Sequence, residues 1–103
     1  MEHLSGRAWI RSQEEETGPV RVYRPQGHAF PPARGREELV FHEDGRLDYV
    51  QPGRGDRPAG ISGTWRTAPG DDHRVLADVA GQLIELQITE VTPDLLRLQW
   101  LQT

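Results

Sequence analysis

The sequence predicts a small all-β protein, an antiparallel up-and-down β-barrel of about eight strands with little or no helix. Three observations carry that expectation. Gly and Pro punctuate the chain about every eight to twelve residues, and the segments between them alternate apolar with polar side chains. Successive hairpins also align their apolar positions on one shared face.

The strands are expected at about Arg7–Glu15, Val20–Arg24, Arg36–His42, Arg46–Val50, Gly60–Thr67, Arg74–Val79, Gln82–Glu90 and Leu95–Gln102. A two-residue Ala80–Gly81 turn pairs Ala77 with Ile84 and Val75 with Leu86, both apolar and both on one face. In EVTPDLL, Pro93 and Asp94 form a turn, and the expected register sets Ile88 opposite Leu96, Leu86 opposite Leu98 and Ile84 opposite Trp100.

The stretch FHEDGRLDYV (Phe41–Val50) gathers a histidine, a glutamate and two aspartates, as a metal or acid/base site would. Register decides what it is. A two-residue Asp44–Gly45 turn mixes polar and apolar side chains on both faces. A Glu43–Asp44–Gly45 loop, with Gly45 left-handed in a type I turn plus G1 bulge, pairs Phe41 with Leu47 and Leu39 with Tyr49. His42, Arg46 and Asp48 then face outward, and the stretch is a hairpin.

Eight such strands close on themselves, because closure removes the unpaired edges that invite aggregation. An open two-sheet sandwich is the other architecture that fits. Trp9, Val20, Val22, Phe41, Tyr49, Trp65 and Trp100 fall among the inward positions, and Gly63 is expected to leave a gap in the wall. A barrel of this size is filled by side chains or holds one small ligand.

At 103 residues the chain is one domain, residues 1–103, with room for one modest core, so function belongs on loops or in one pocket. A formal net charge of −4 argues against nucleic acid as a partner. Apolar runs of two or three residues exclude a spanning helix and a membrane partner, and MEHLSGRAW lacks a signal-peptide core, so a cytoplasmic location is expected. The chain contains no Cys and no Lys, which excludes disulfides, thiolate zinc sites, thiol nucleophiles and Schiff-base chemistry.

SGRAW (Ser5–Trp9), FHEDG (Phe41–Gly45), GTW (Gly63–Trp65) and IELQITEVTPDLLRLQW (Ile84–Trp100) are spread over most of the chain. In these motifs the sequence resembles the small bacterial lipocalin-like proteins of the calycin type. The resemblance implies a barrel that binds a small apolar molecule. It also implies an entrance at the end of the first hairpin.

A plain meander sorts the loops onto two ends. One end is expected to collect EEETGP, HEDG, APGDDH and VTPD, and hence Glu14–Glu16, Glu43, Asp44, Asp71, Asp72 and Asp94. The other collects the loops Pro25–Gly35 and Gln51–Gly60 and both termini. Clustered arginines at a mouth favour a carboxylate or phosphate. The expected ligand site is therefore an apolar interior of Tyr49, Trp65, Trp100, Phe41 and Trp9 beneath a mouth of Arg24, Arg34, Arg54, His28 and Phe30. The ligand would be small and apolar or amphipathic, with an anionic group.

Catalysis is not expected. No G-x-S-x-G elbow is present, and the paired carboxylates read as solvated turn charges. His3, His28, His42 and His73 lack ligand spacing, so no metal or other cofactor is expected. GRGD (Gly53–Asp56) reads as a loop. The rival function is a packed barrel acting as a protein-interaction or homo-oligomeric assembly module, such as a homodimer, without ligand or catalysis. Val40, Val50, Ile10, Leu76, Leu95 and Leu101 on the outer face would then form its patch.

Overall fold

A computed structural model describes residues 3–32, 35–51 and 59–101. Eight strands form one closed barrel: β1 (Ala8–Arg11), β2 (Arg21–Pro25), β3 (Glu38–Phe41), β4 (Arg46–Gln51), β5 (Ala59–Ala68), β6 (Asp71–Val79), β7 (Gln82–Thr92) and β8 (Leu95–Leu101). Every neighbouring pair is antiparallel, so strands run alternately up and down around the ring. Among the described residues the only helical element is a 3₁₀ turn at Gln13–Glu15, where the first strand was expected to continue. No helix there is long and apolar enough to cross a membrane.

Around the ring the order is β1-β2-β8-β7-β6-β5-β4-β3. β1 therefore lies between β2 and β3, and β2 pairs with β8. Since β2 and β3 both run antiparallel to β1, they run the same way. The connection 26–37 must then travel the length of the barrel, returning the chain to the end where β2 began.

This connection redistributes the loops. The turns 42–45, 69–70 and 93–94 share one end with Leu4, while the 12–20 connection and the Ala80–Gly81 turn start from the other, with Glu37. The 12–20 connection thus leaves and re-enters the barrel at the end opposite the other acidic turns, contrary to the expected meander, although Glu15 reaches back along the outer wall to share Arg24 with the Asp94 carbonyl. The chain start near Leu4 is likewise parted from Leu101.

The FHEDG hairpin has the expected register, Phe41 with Leu47 and Leu39 with Tyr49, and Gly45 adopts φ +94°. Val75 pairs with Leu86 and Ala77 with Ile84, also as expected. The last hairpin differs. Leu86 meets Trp100 and Ile88 meets Leu98, because an irregularity between Ile88 and Glu90 inserts one residue and a two-residue Pro93–Asp94 turn closes the hairpin. The same side chains still face inward.

Gly63 does not leave a gap. It marks a close approach: a Cβ there would lie 2.1 Å from the Asp78 carbonyl oxygen. Trp9, Tyr23, Phe41, Leu39, Leu47, Leu86, Leu96, Leu98 and Val75 fill the interior, each at most 2% exposed. Leu4 closes one end, with Ser5 bridged to Phe41 and the Trp9 indole N–H donating to the Leu4 carbonyl at 2.9 Å. Val22 is buried but lies outside this cluster, since it pairs with outward Arg97 while Tyr23 pairs with Leu96. Val20 borders an outer cleft with Val22 and Arg97. The expected inward placing of both valines is therefore corrected: Tyr23 takes the core face of β2.

Candidate functional site

Alternation follows from that correction. With Tyr23 inward, Arg21 is inward too, and β1 carries Trp9 and Arg11 on the same face, Arg11 opposite Tyr23. The backbone N–H of Arg11 bonds the Glu37 carbonyl at 2.8 Å, which aligns Glu37 beside these residues. Four charged or hydroxyl side chains, Arg11, Arg21, Tyr23 and Glu37, converge inside one end of the wall.

The Glu37 side chain is only 5% exposed. Its Oε1 accepts a short hydrogen bond from the Tyr23 hydroxyl, and its Oε2 accepts from Arg11 Nη1 at 3.2 Å. Arg21 Nη1 reaches both oxygens, at 3.3 and 3.1 Å. Arg11 also holds Glu16 with two nitrogens, at 2.8 and 2.9 Å, and Glu16 accepts from the Val22 N–H. A buried carboxylate needs such partners.

The titrations follow the geometry. Burial, reinforced by the Glu37 charge, pushes the Tyr23 hydroxyl far above the usual tyrosine range, so it stays a donor. The Glu16 hydrogen bond raises Arg11. For Glu16 itself burial acts upward, but the hydrogen bonds from Arg11 and the Val22 N–H outweigh it and hold the carboxyl below its ordinary value.

The aromatic wall sits at the same end. The Arg21 guanidinium lies 4.4 Å over the Trp100 ring, and Trp100 meets Tyr49 at 5.6 Å between centroids. Trp100 Nε1 is buried and has no hydrogen-bond partner among the described residues. Tyr49, Ile61, Ile84 and Trp100 pack against the core here but are only partly buried.

The expected interior set is divided. Tyr49 and Trp100 belong to this end, whereas Trp9, Phe41 and Trp65 belong to the Leu4 end. There Phe41 and Trp65 meet edge to face at 5.4 Å, and the Trp65 indole N–H donates to the His42 carbonyl at 2.8 Å. The expected mouth is corrected. Arg24 shares the outer face with Ile10, bonded to Glu15 and to the Asp94 carbonyl. His28 and Phe30 contact each other in the 26–37 connection, with Arg36 over Phe30. Arg34 and Arg54 lie outside the described residues.

No family model, curated protein or solved structure matches this chain.

Other groupings of polar side chains lie on the surface. On the outer face of the FHEDG hairpin, Asp48 accepts from Ser62 at 3.1 Å and contacts His42 at 2.7 Å. The aspartate stands between serine and histidine, so the histidine is not placed to take the serine proton. Asp71, Asp72 and His73 bring ligand atoms within 4.8 Å of one another, but all three are exposed at the start of β6. None of the four converging side chains, Arg11, Arg21, Tyr23 and Glu37, was in the site expected from sequence. The available signal was the motif RVY, in which taking the aromatic residue as inward carries Arg21 inward with it.

Proposed function

We propose that the protein is a small-molecule binding barrel, taking an amphipathic anion at the Glu37 end. The anionic group meets Arg21, and the apolar part lies along Trp100, Tyr49, Ile61 and Ile84. The observation that carries this reading is Arg21 stacked on a partly buried Trp100 at the end opposite Leu4, directly over the apolar core. An arginine that faces inward there offers a charge-assisted anchor next to apolar surface, the combination an amphipathic ligand needs. The reading agrees with the resemblance to lipocalin-like proteins, whose entrance lies at the first-hairpin end. In this fold that end is the Glu37 end, and a cytoplasmic, non-enzymatic role is consistent with it.

The three tryptophans make the test direct. Octanoate is titrated into ¹⁵N-labelled protein while the indole N–H signals are followed. Trp100 is expected to shift with saturation, while Trp9 and Trp65, bonded to Leu4 and His42 carbonyls, stay in place. A Trp100 signal unmoved at about 1 mM octanoate would remove the proposal.

One observation favours the rival assembly role. Leu83 on β7 is 63% exposed and faces outward opposite Asp78. Sedimentation of the protein against Leu83→Glu separates the two: a dimer lost on substitution supports assembly through this face, and a monomer in both removes it.

A further inference from the structure

Resting on the reading of the Glu37 end as a binding mouth, we infer that Glu37 is a built-in competitor for the ligand. Its carboxylate holds Arg21 in the unliganded protein, and an anionic ligand binds by drawing Arg21 away from it.

The unequal partners of Glu37 support the exchange. Tyr23 and Arg11 hold it from the wall with single directed bonds, one to each oxygen. Arg21 reaches it less well: one nitrogen, Nη1, divides itself between both oxygens at 3.1 and 3.3 Å, in place of the two-nitrogen fork with which Arg11 grips Glu16. Among the described residues, nothing accepts from Arg21 Nε or Nη2. Arg21 is also the more exposed of the two arginines on Glu37, at 29% against 21% for Arg11.

The consequence for charge is specific. Arg11 and Arg21 balance Glu16 and Glu37, so the unliganded site is neutral. If Arg21 turns to a ligand carboxylate, Glu37 keeps Arg11 and Tyr23 and is not left bare in the wall. The incoming anion still meets the Glu37 charge nearby. Glu37 therefore weakens binding of anions selectively and leaves uncharged amphiphiles of the same length unaffected. It sets specificity without being part of the binding surface.

Octanoate and octan-1-ol are the probes, with the Trp100 indole signal as readout. Glu37→Gln is expected to bind octanoate about tenfold more tightly than wild type and octanol equally. In wild-type protein the ¹³C signal of the Glu37 carboxyl is expected to shift on saturation with octanoate and not with octanol, which tests the exchange even if the substitution prevents folding. Folded Glu37→Gln that binds octanoate no more tightly, or octanoate binding with an unmoved Glu37 carboxyl signal, overturns the inference while leaving the binding mouth intact. If neither probe moves Trp100 in any form, the mouth reading fails and this inference falls with it.

Discussion

Gly63 faces the carbonyl of Asp78 so closely that a Cβ would come within 2.1 Å of its oxygen. The obstacle is backbone on β6, which cannot rotate aside as a side chain would. Gly63→Ala is therefore expected to push β5 from β6 and cost about 2 kcal/mol or more, within the range for overpacked interiors. The urea midpoint reads the loss. Wild-type stability for this variant would mean that the two strands are not in such close contact.

Leu4 precedes the first strand, yet it is 1% exposed and belongs to the core cluster. Its removal opens the Leu4 end of the barrel. Leu4→Ala is expected to cost about 2–4 kcal/mol, as for other buried leucines, and to speed exchange of the Trp9 indole proton, whose acceptor is the Leu4 carbonyl. A thermal melt and hydrogen exchange check both parts.

At φ +94°, Gly45 closes the FHEDG hairpin in a conformation that a side chain disfavours. Gly45→Ala is expected to lose about 1 kcal/mol or more. Gly60→Ala serves as the control, because a Cβ at Gly60 meets nothing within 4 Å. Equal denaturation midpoints for the two variants would contradict the assignment of this turn.

Acid should weaken the 3₁₀ turn first. The hydrogen bonds from Arg36 to Glu14 and from Arg24 to Glu15 lower both carboxyls from 4.5 to about 2. Each folded-state value lies below the unfolded one, so the contribution is present above about pH 4.5 and is lost as pH falls through about 2. Both groups face solvent, and the effect is correspondingly small and salt-sensitive. Melting temperature measured from pH 5 down to pH 2 should fall less steeply for Glu15→Gln than for wild type.

The hairpins were legible because each is a local problem. Gly45 and the apolar pairs Phe41–Leu47 and Leu39–Tyr49 leave one register, and the Ala80–Gly81 turn does the same for β6 and β7. Even where the register of β7 and β8 came out differently, Leu86, Ile88, Leu96, Leu98 and Trp100 kept their inward side, since the observed pairs differ from the expected ones by two residues, an even step. Tyr49 and Trp100 of the aromatic wall were placed inward in this way.

The placing of Arg11, Arg21, Tyr23 and Glu37 was not a local problem. Alternation in RVYRP admits two faces, and the choice between Val22 and Tyr23 depends on what β8 presents to β2. Nor does any pattern within the first forty or so residues reveal that β1 enters between β2 and β3.

By itself, then, the sequence determined an all-β chain, its turns and the inward side of most strands, because periodicity and turn chemistry act over a few residues. Only the tertiary structure decided that the 26–37 connection returns the chain along the barrel. That return sets Glu37 between Arg11 and Arg21. The reason is physical: closing the ring matches β1 to β3 and β2 to β8, pairings between distant segments whose hydrogen bonds and core contacts exist only once the barrel is complete.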